Sequence, residues 1–193
     1  MCNINRRIGR CSPGWSILGP FLKFPDEAAI IGRLSAGYTT LEIGLMNCVQ
    51  VVRDDFDAVL KAIFRVRGET ARIDIADAFY DDRGLATEFG MAVGAVRHCL
   101  KYAHCVWYDD HSGKLAFVNV EEIAKDNTKL KDLTSLTILH VDVPFLQAQE
   151  AYFVYADELL AWTNHEGRLR DLKIKSNPLT KPNQIQQPAL NIP

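Results

Sequence analysis

Between Ile30 and Val52 apolar side chains return every three or four residues, at Ile30, Ile31, Leu34, Tyr38, Leu41, Leu45, Cys48, Val49 and Val52. Only an α-helix gathers that spacing onto one face. A stripe about six turns long must be covered by other apolar surfaces, so the chain has to supply a bundle around it. Pro25-Asp26-Glu27 marks the start, with proline in the first turn and acids favoured by the helix dipole, and the helix is expected to reach about Arg53. Gly32, Gly37 and Gly44 each cost about 1 kcal/mol relative to alanine. Close approach by a neighbouring helix, or a kink near Tyr38-Thr39-Thr40, would account for them. Glu42 interrupts the rear edge of the stripe and reads as a surface charge rather than as the partner of an arginine.

The covering elements follow in order. Asp54-Asp55 opens a second helix with Phe56, Val59, Leu60, Ile63 and Phe64 on its buried face, closed by Arg65, Arg67 and Gly68. A third runs from Glu69 to about Tyr80. A fourth, from Leu85 to Cys105, is striped by Leu85, Phe89, Val93, Val96 and Leu100. After His104 the pattern alternates: Val106-Trp107-Tyr108 and Leu115-Ala116-Phe117-Val118 flank a polar turn, which predicts a β-hairpin. Asn119-Val120-Glu121-Glu122 resembles a capping box and predicts a short helix to about Lys131. Leu136 to Val141 reads as a brief strand or extended chain. Asp142-Val143-Pro144 starts the last helix, packed through Leu146, Gln149, Phe153, Ala156, Leu160 and Trp162 and stopped near Gly167. The expected fold is therefore all-α: an antiparallel bundle of about five main helices with a small β-hairpin after the fourth.

With 193 residues, 48% of them hydrophobic, the chain can bury one substantial core. Residues 25–170 read as that domain. Residues 1–24, mixing arginine, glycine and proline, read as a loosely ordered arm or an upstream extension, and 171–193 as a Pro/Asn/Gln-rich tail. A net charge of −2 gives no general attraction to polyanions, so nucleic-acid binding would need a local basic patch. The five cysteines, Cys2, Cys11, Cys48, Cys99 and Cys105, lack CxxC spacing and suit a reducing cytoplasm. Gly19 and Pro20 break the only segment resembling a signal core, and no run approaches ~20 apolar residues, so no membrane association is expected.

The reactive side chains gather near the end of the fourth helix. His98-Cys99 and His104-Cys105 carry zinc's preferred donors, but His98 and Cys105 would stand roughly 10 Å apart along the axis, too far to share one ion. Neither a metal nor another cofactor is expected. Cys105 directly follows His104, about 100° round the helix, an awkward geometry for a thiol and its base. Arg97 and His104, seven residues apart, share a face instead. Histidine titrates near neutrality and can move a proton, while a guanidinium can hold a phosphate and its developing charge. These two are the candidate catalytic residues for RNA cleavage without metal. Lys101 and Tyr102 are candidate substrate-binding residues. The bland alternative is a solvated Arg97 and a His104 bonding a carbonyl at the helix end.

An arginine followed after six residues by a histidine near a helix end, in an all-helical setting, resembles the HEPN (higher eukaryotes and prokaryotes nucleotide-binding) superfamily. Phe64-Arg-Val-Arg-Gly-Glu69, Tyr102-Ala-His-Cys-Val-Trp107, Phe117-Val-Asn-Val-Glu121 and Gln149-Glu-Ala-Tyr-Phe153 also resemble a group of uncharacterised bacterial proteins carrying this module, over about residues 26–165. The commonest form of the motif begins with Arg-Asn five positions before the histidine, where this chain has Cys99 and Leu100. The resemblance implies a metal-independent, toxin- or defence-like endoribonuclease acting on RNA as a homodimer with facing motifs. It equally implies a catalytically inactive partner- or nucleotide-binding module, such as the binding half of a toxin–antitoxin pair or the companion of a nucleotidyltransferase. In the latter case the hairpin aromatics Trp107, Tyr108 and Phe117 are the expected contact surface.

Overall fold

A computed structural model describes residues 18–80, 84–109, 113–119 and 139–166. Among these, six α-helices and three strands run in the order α1 (Gly19–Lys23), α2 (Pro25–Arg53), α3 (Phe56–Phe64), α4 (Glu69–Phe79), α5 (Ala86–Ala103), β1 (Val106–Asp109), β2 (Leu115–Val118), β3 (Leu139–Val141) and α6 (Val143–Ala161). The all-α expectation holds, and the hairpin is extended by β3 into an antiparallel sheet of order β1-β2-β3. No described helix is long and apolar enough to cross a membrane.

The predicted start and stop signals operate locally. Asp55 accepts a hydrogen bond from the Ala58 amide at the head of α3, and Asp142 accepts one from the Phe145 amide at the head of α6, both at 3.0 Å. Gly68 takes φ +97° between α3 and α4, a conformation that favours glycine. The arm reading needs correction at its end, because residues 19–23 form α1. Its last turn is anchored by Lys23, whose Nζ lies 2.7 Å from Asp109 Oδ2 on β1. Residues 1–17, the 171–193 tail, the stop at Gly167 and the capping-box helix beyond Asn119 lie outside the described residues. Before that point α6 already gives way to a π-type turn, Trp162–Glu166, in which Thr163 Oγ1 donates to the Leu159 carbonyl at 2.7 Å.

α2 is the central post. It runs uninterrupted for 29 residues and lies against α6, α5, α4 and α3. Arg33 pairs with Glu150, a Cβ on Gly37 would meet Phe153 at 3.6 Å, and one on Gly44 would meet Leu160 at 3.0 Å. Position numbers rise together along these contacts, so α2 and α6 run parallel. Two of the three α2 glycines thus stand where α6 comes close, whereas a Cβ on Gly32 meets nothing within 4 Å. α5 runs the opposite way between them: Ser35 Oγ donates to the Ala103 carbonyl, and His98 Nε2 lies 2.9 Å from Gln149 Oε1. Cys48, Val49, Val96, Cys99, Leu146 and Ala156 fill the space they enclose. Each large aliphatic or aromatic side chain removed from water there contributes about 1.5–3 kcal/mol.

The sheet closes one end. Val106 pairs with Val118 and Trp107 with Phe117, and all four residues of β2 are buried. Phe117 lies under Trp107 and against Tyr102 and Phe145, with ring centroids 5.2, 5.7 and 6.4 Å away. The hairpin aromatics therefore work mainly inward: Phe117 is buried, while Trp107 and Tyr108 are half-buried and packed on neighbouring clusters. The side chain that β1 leaves most open is Val106.

Candidate functional site

α5 stops at Ala103. The His104 amide still donates to the Leu100 carbonyl at 3.2 Å, but φ −124° and ψ 63° take the chain out of the helix. The imidazole is exposed, and its ring meets Tyr38 of α2 nearly edge-on, with centroids 5.2 Å apart and planes at 86°. This contact fixes the outlook of the ring. Ser35, one turn earlier on α2, ties the same helix end through the Ala103 carbonyl.

Arg97 looks elsewhere. Its Nη2 donates to Asp74 Oδ1 at 2.9 Å and to Asp77 Oδ2 at 3.4 Å, both carboxylates on α4. One guanidinium thus faces two acids one turn apart, leaving a local charge of about −1. All three side chains are substantially exposed, so the pairing is worth at most about 1 kcal/mol, yet the surplus negative charge remains. Lys101 is exposed one turn beyond Arg97. Tyr102 turns to the α6 side, among His98, Phe117 and Phe145. Among the four candidate residues, Tyr102 is therefore separated from the Arg97 face, and Arg97 and His104 are engaged by different helices.

Three residues around this end were not read as site residues from the sequence. Glu42, expected at the surface, is buried and paired: Arg72 Nη1 donates to both of its oxygens, at 3.2 and 3.1 Å. Arg72 also donates through Nε to the Val66 carbonyl at 3.3 Å and lies over the Phe64 ring, which locks the α3–α4 turn to α2. Tyr38 is 2% exposed, and its hydroxyl has no partner among the described residues. Burial, then the charges of Glu42 and Glu69, push that hydroxyl above its ordinary range, so it stays a neutral donor. The signal for Glu42 was its register: four after Tyr38 and three before Leu45, it belongs to the α2 stripe.

An orphaned buried hydroxyl costs stability. Tyr38→Phe keeps the ring against His104 and removes the unsatisfied group, so it is expected to leave stability unchanged or raise it by up to about 1 kcal/mol in urea unfolding.

Cysteine chemistry is disfavoured at this end. Burial pushes the Cys105 thiol up to about 12, and its Sγ is 3.5 Å from the Tyr102 carbonyl, so thiolate is scarce at neutral pH. Among the described residues no three His, Cys, Asp or Glu side chains are grouped as metal ligands would be. No family model, curated protein or solved structure matches the chain.

Proposed function

We propose that this is a HEPN-like helical module that acts in the cytoplasm by binding a protein partner rather than by cutting RNA. The reading is supported above all by Arg97: a phosphate anchor must offer uncompensated positive charge, and this guanidinium is outnumbered by Asp74 and Asp77. An approaching RNA phosphate meets two carboxylates at the place where it needs a cation. The same acids favour a partner that brings basic side chains to α4, and the companion we propose is of antitoxin or nucleotidyltransferase type.

A second reading, a metal-independent ribonuclease, draws its support from His104, an exposed imidazole held by an aromatic ring at a helix end. One experiment separates the two. The protein and its His104→Ala variant are incubated with structured and unstructured RNA in EDTA. Neither is expected to cleave. Cleavage by the parent protein that disappears in the variant overturns the binding reading in favour of the nuclease; cleavage by both removes His104 from the mechanism.

A further inference from the structure

α3 and α4 lie antiparallel across the short turn at Gly68, and contacts at both ends fix which of their sides meet. At one end the Arg72 guanidinium lies over the Phe64 ring, 5.5 Å from its centre. At the other, Arg53, just before α3, lies over the Phe79 ring at 5.6 Å and donates through Nε to the Phe79 carbonyl at 2.8 Å. One and two turns back from Phe64, Leu60 and Phe56 continue its stripe on α3, and Ile75 and Phe79 continue that of Arg72 on α4. The two stripes face one channel about 12 Å long. Phe56 and Leu60, expected on the buried face of α3, need correction here: Val59 and Ile63 alone turn fully to the core. Phe56, Leu60 and Phe79 are left exposed to 53%, 36% and 37%.

The two rims of the channel differ in charge. On the α3 rim Lys61 pairs with Asp57 one turn away, and the two cancel. On the far rim α4 carries Asp74 and Asp77, which outnumber Arg97. Round α4, between these acids and the apolar stripe, stand the short side chains of Ala71 and Ala78. A lysine or arginine stem laid across them reaches from the channel to the carboxylates. An apolar floor with one acidic edge therefore selects an occupant that is apolar on one face and basic along one flank. A helix with apolar residues at i, i+3 or i+4, and i+7 has that form.

We propose that the α3–α4 channel docks an amphipathic helix of a partner protein, with its apolar face on Phe56, Leu60, Ile75 and Phe79 and its lysines or arginines on Asp74 and Asp77. The proposal rests on the partner-binding reading and gives that partner a place and a chemistry. Asp74 and Asp77 are then shared between Arg97 and the cations of the partner.

The probes are labelled helical peptides of about 15 residues with leucines at that spacing and either lysines or glutamates along one flank. In fluorescence anisotropy the full chain is expected to bind the lysine peptide at least about tenfold more tightly than the glutamate peptide. Asp74→Lys with Asp77→Lys is expected to reverse that order, a result that misfolding cannot imitate. Phe56→Gln with Leu60→Gln is expected to weaken the lysine peptide about tenfold while the protein still melts cooperatively, since both side chains are exposed. Equal binding of the two peptides, or a preference indifferent to either pair of substitutions, overturns the proposal. Self-association that the Phe56 and Leu60 changes abolish gives the channel to a second copy. Peptide binding that tightens about tenfold when Arg168, Arg170, Lys173 and Lys175 become glutamine gives it to residues 168–175 of this chain. Either result also overturns the proposal. The RNA assay judges the partner-binding reading separately: a protein that neither cuts RNA nor discriminates between the peptides loses the channel and keeps that reading.

Discussion

Arg72→Ala is expected to lower the free energy of unfolding by about 3 kcal/mol, because it strands the Glu42 carboxylate, 6% exposed, without its counter-charge. The upper part of the usual 3–5 kcal/mol range is not reached, since the Arg72 side chain is itself 24% exposed and water can partly take its place. The same change removes the hydrogen bond to the Val66 carbonyl and the contact with the Phe64 ring, loosening the α3–α4 turn. Replacing both partners, as Glu42→Leu with Arg72→Met, is expected to recover most of the loss, because no charge is then left buried. Equilibrium denaturation of the three proteins measures this. A single-variant loss below about 1 kcal/mol would mean that water reaches Glu42 in the folded protein.

Cys48 and Cys99 are expected to react with a disulfide reagent at pH 8 at least a thousandfold more slowly in the folded protein than after unfolding. Both are 0% exposed, and burial pushes the Cys48 thiol up to about 12 and the Cys99 thiol higher still. Against an ordinary thiol near 9, a rise to about 12 lowers the thiolate fraction roughly a thousandfold before access is considered. Cys105 is raised to about 12 and follows the same direction. The linkage runs one way. Folding favours the protonated thiol, so the stabilisation is complete below the unfolded value and is lost as pH climbs from about 9 toward 12. Timed thiol titration with and without denaturant reads the first effect, and unfolding midpoints across pH 8 to 11 read the second. Prompt reaction of Cys48 in the folded state would contradict both.

Much of the helical layout was legible because each element carries its own period and punctuation. Residues 25–53, the Asp55 and Asp142 caps and the turn at Gly68 fall where spacing and capping chemistry put them. These are local effects, settled within a few residues. The charge of Glu42 points to the surface while its register points to the core, and its stabilising partner, Arg72, lies 30 positions away. The pairing of Arg97 with Asp74 and Asp77 was hidden for the same reason: seven-residue spacing shows which face of α5 a side chain occupies, but not which helix lies opposite. Likewise the alternation in β1 and β2 announces a hairpin, while the inward course of Phe117 depends on where Tyr102 and Phe145 stand.

The parallel neighbours α2 and α6 come from opposite ends of the bundle's sequence: Arg33 meets Glu150 across 117 positions, and Cys48 meets the Leu160 carbonyl across 112. During synthesis α3, α4 and α5 can cover part of α2 as they emerge, but the face that meets α6 must stay uncovered until α6 has left the ribosome. Such late closure slows folding and lengthens the interval in which a nascent chain needs shielding by chaperones.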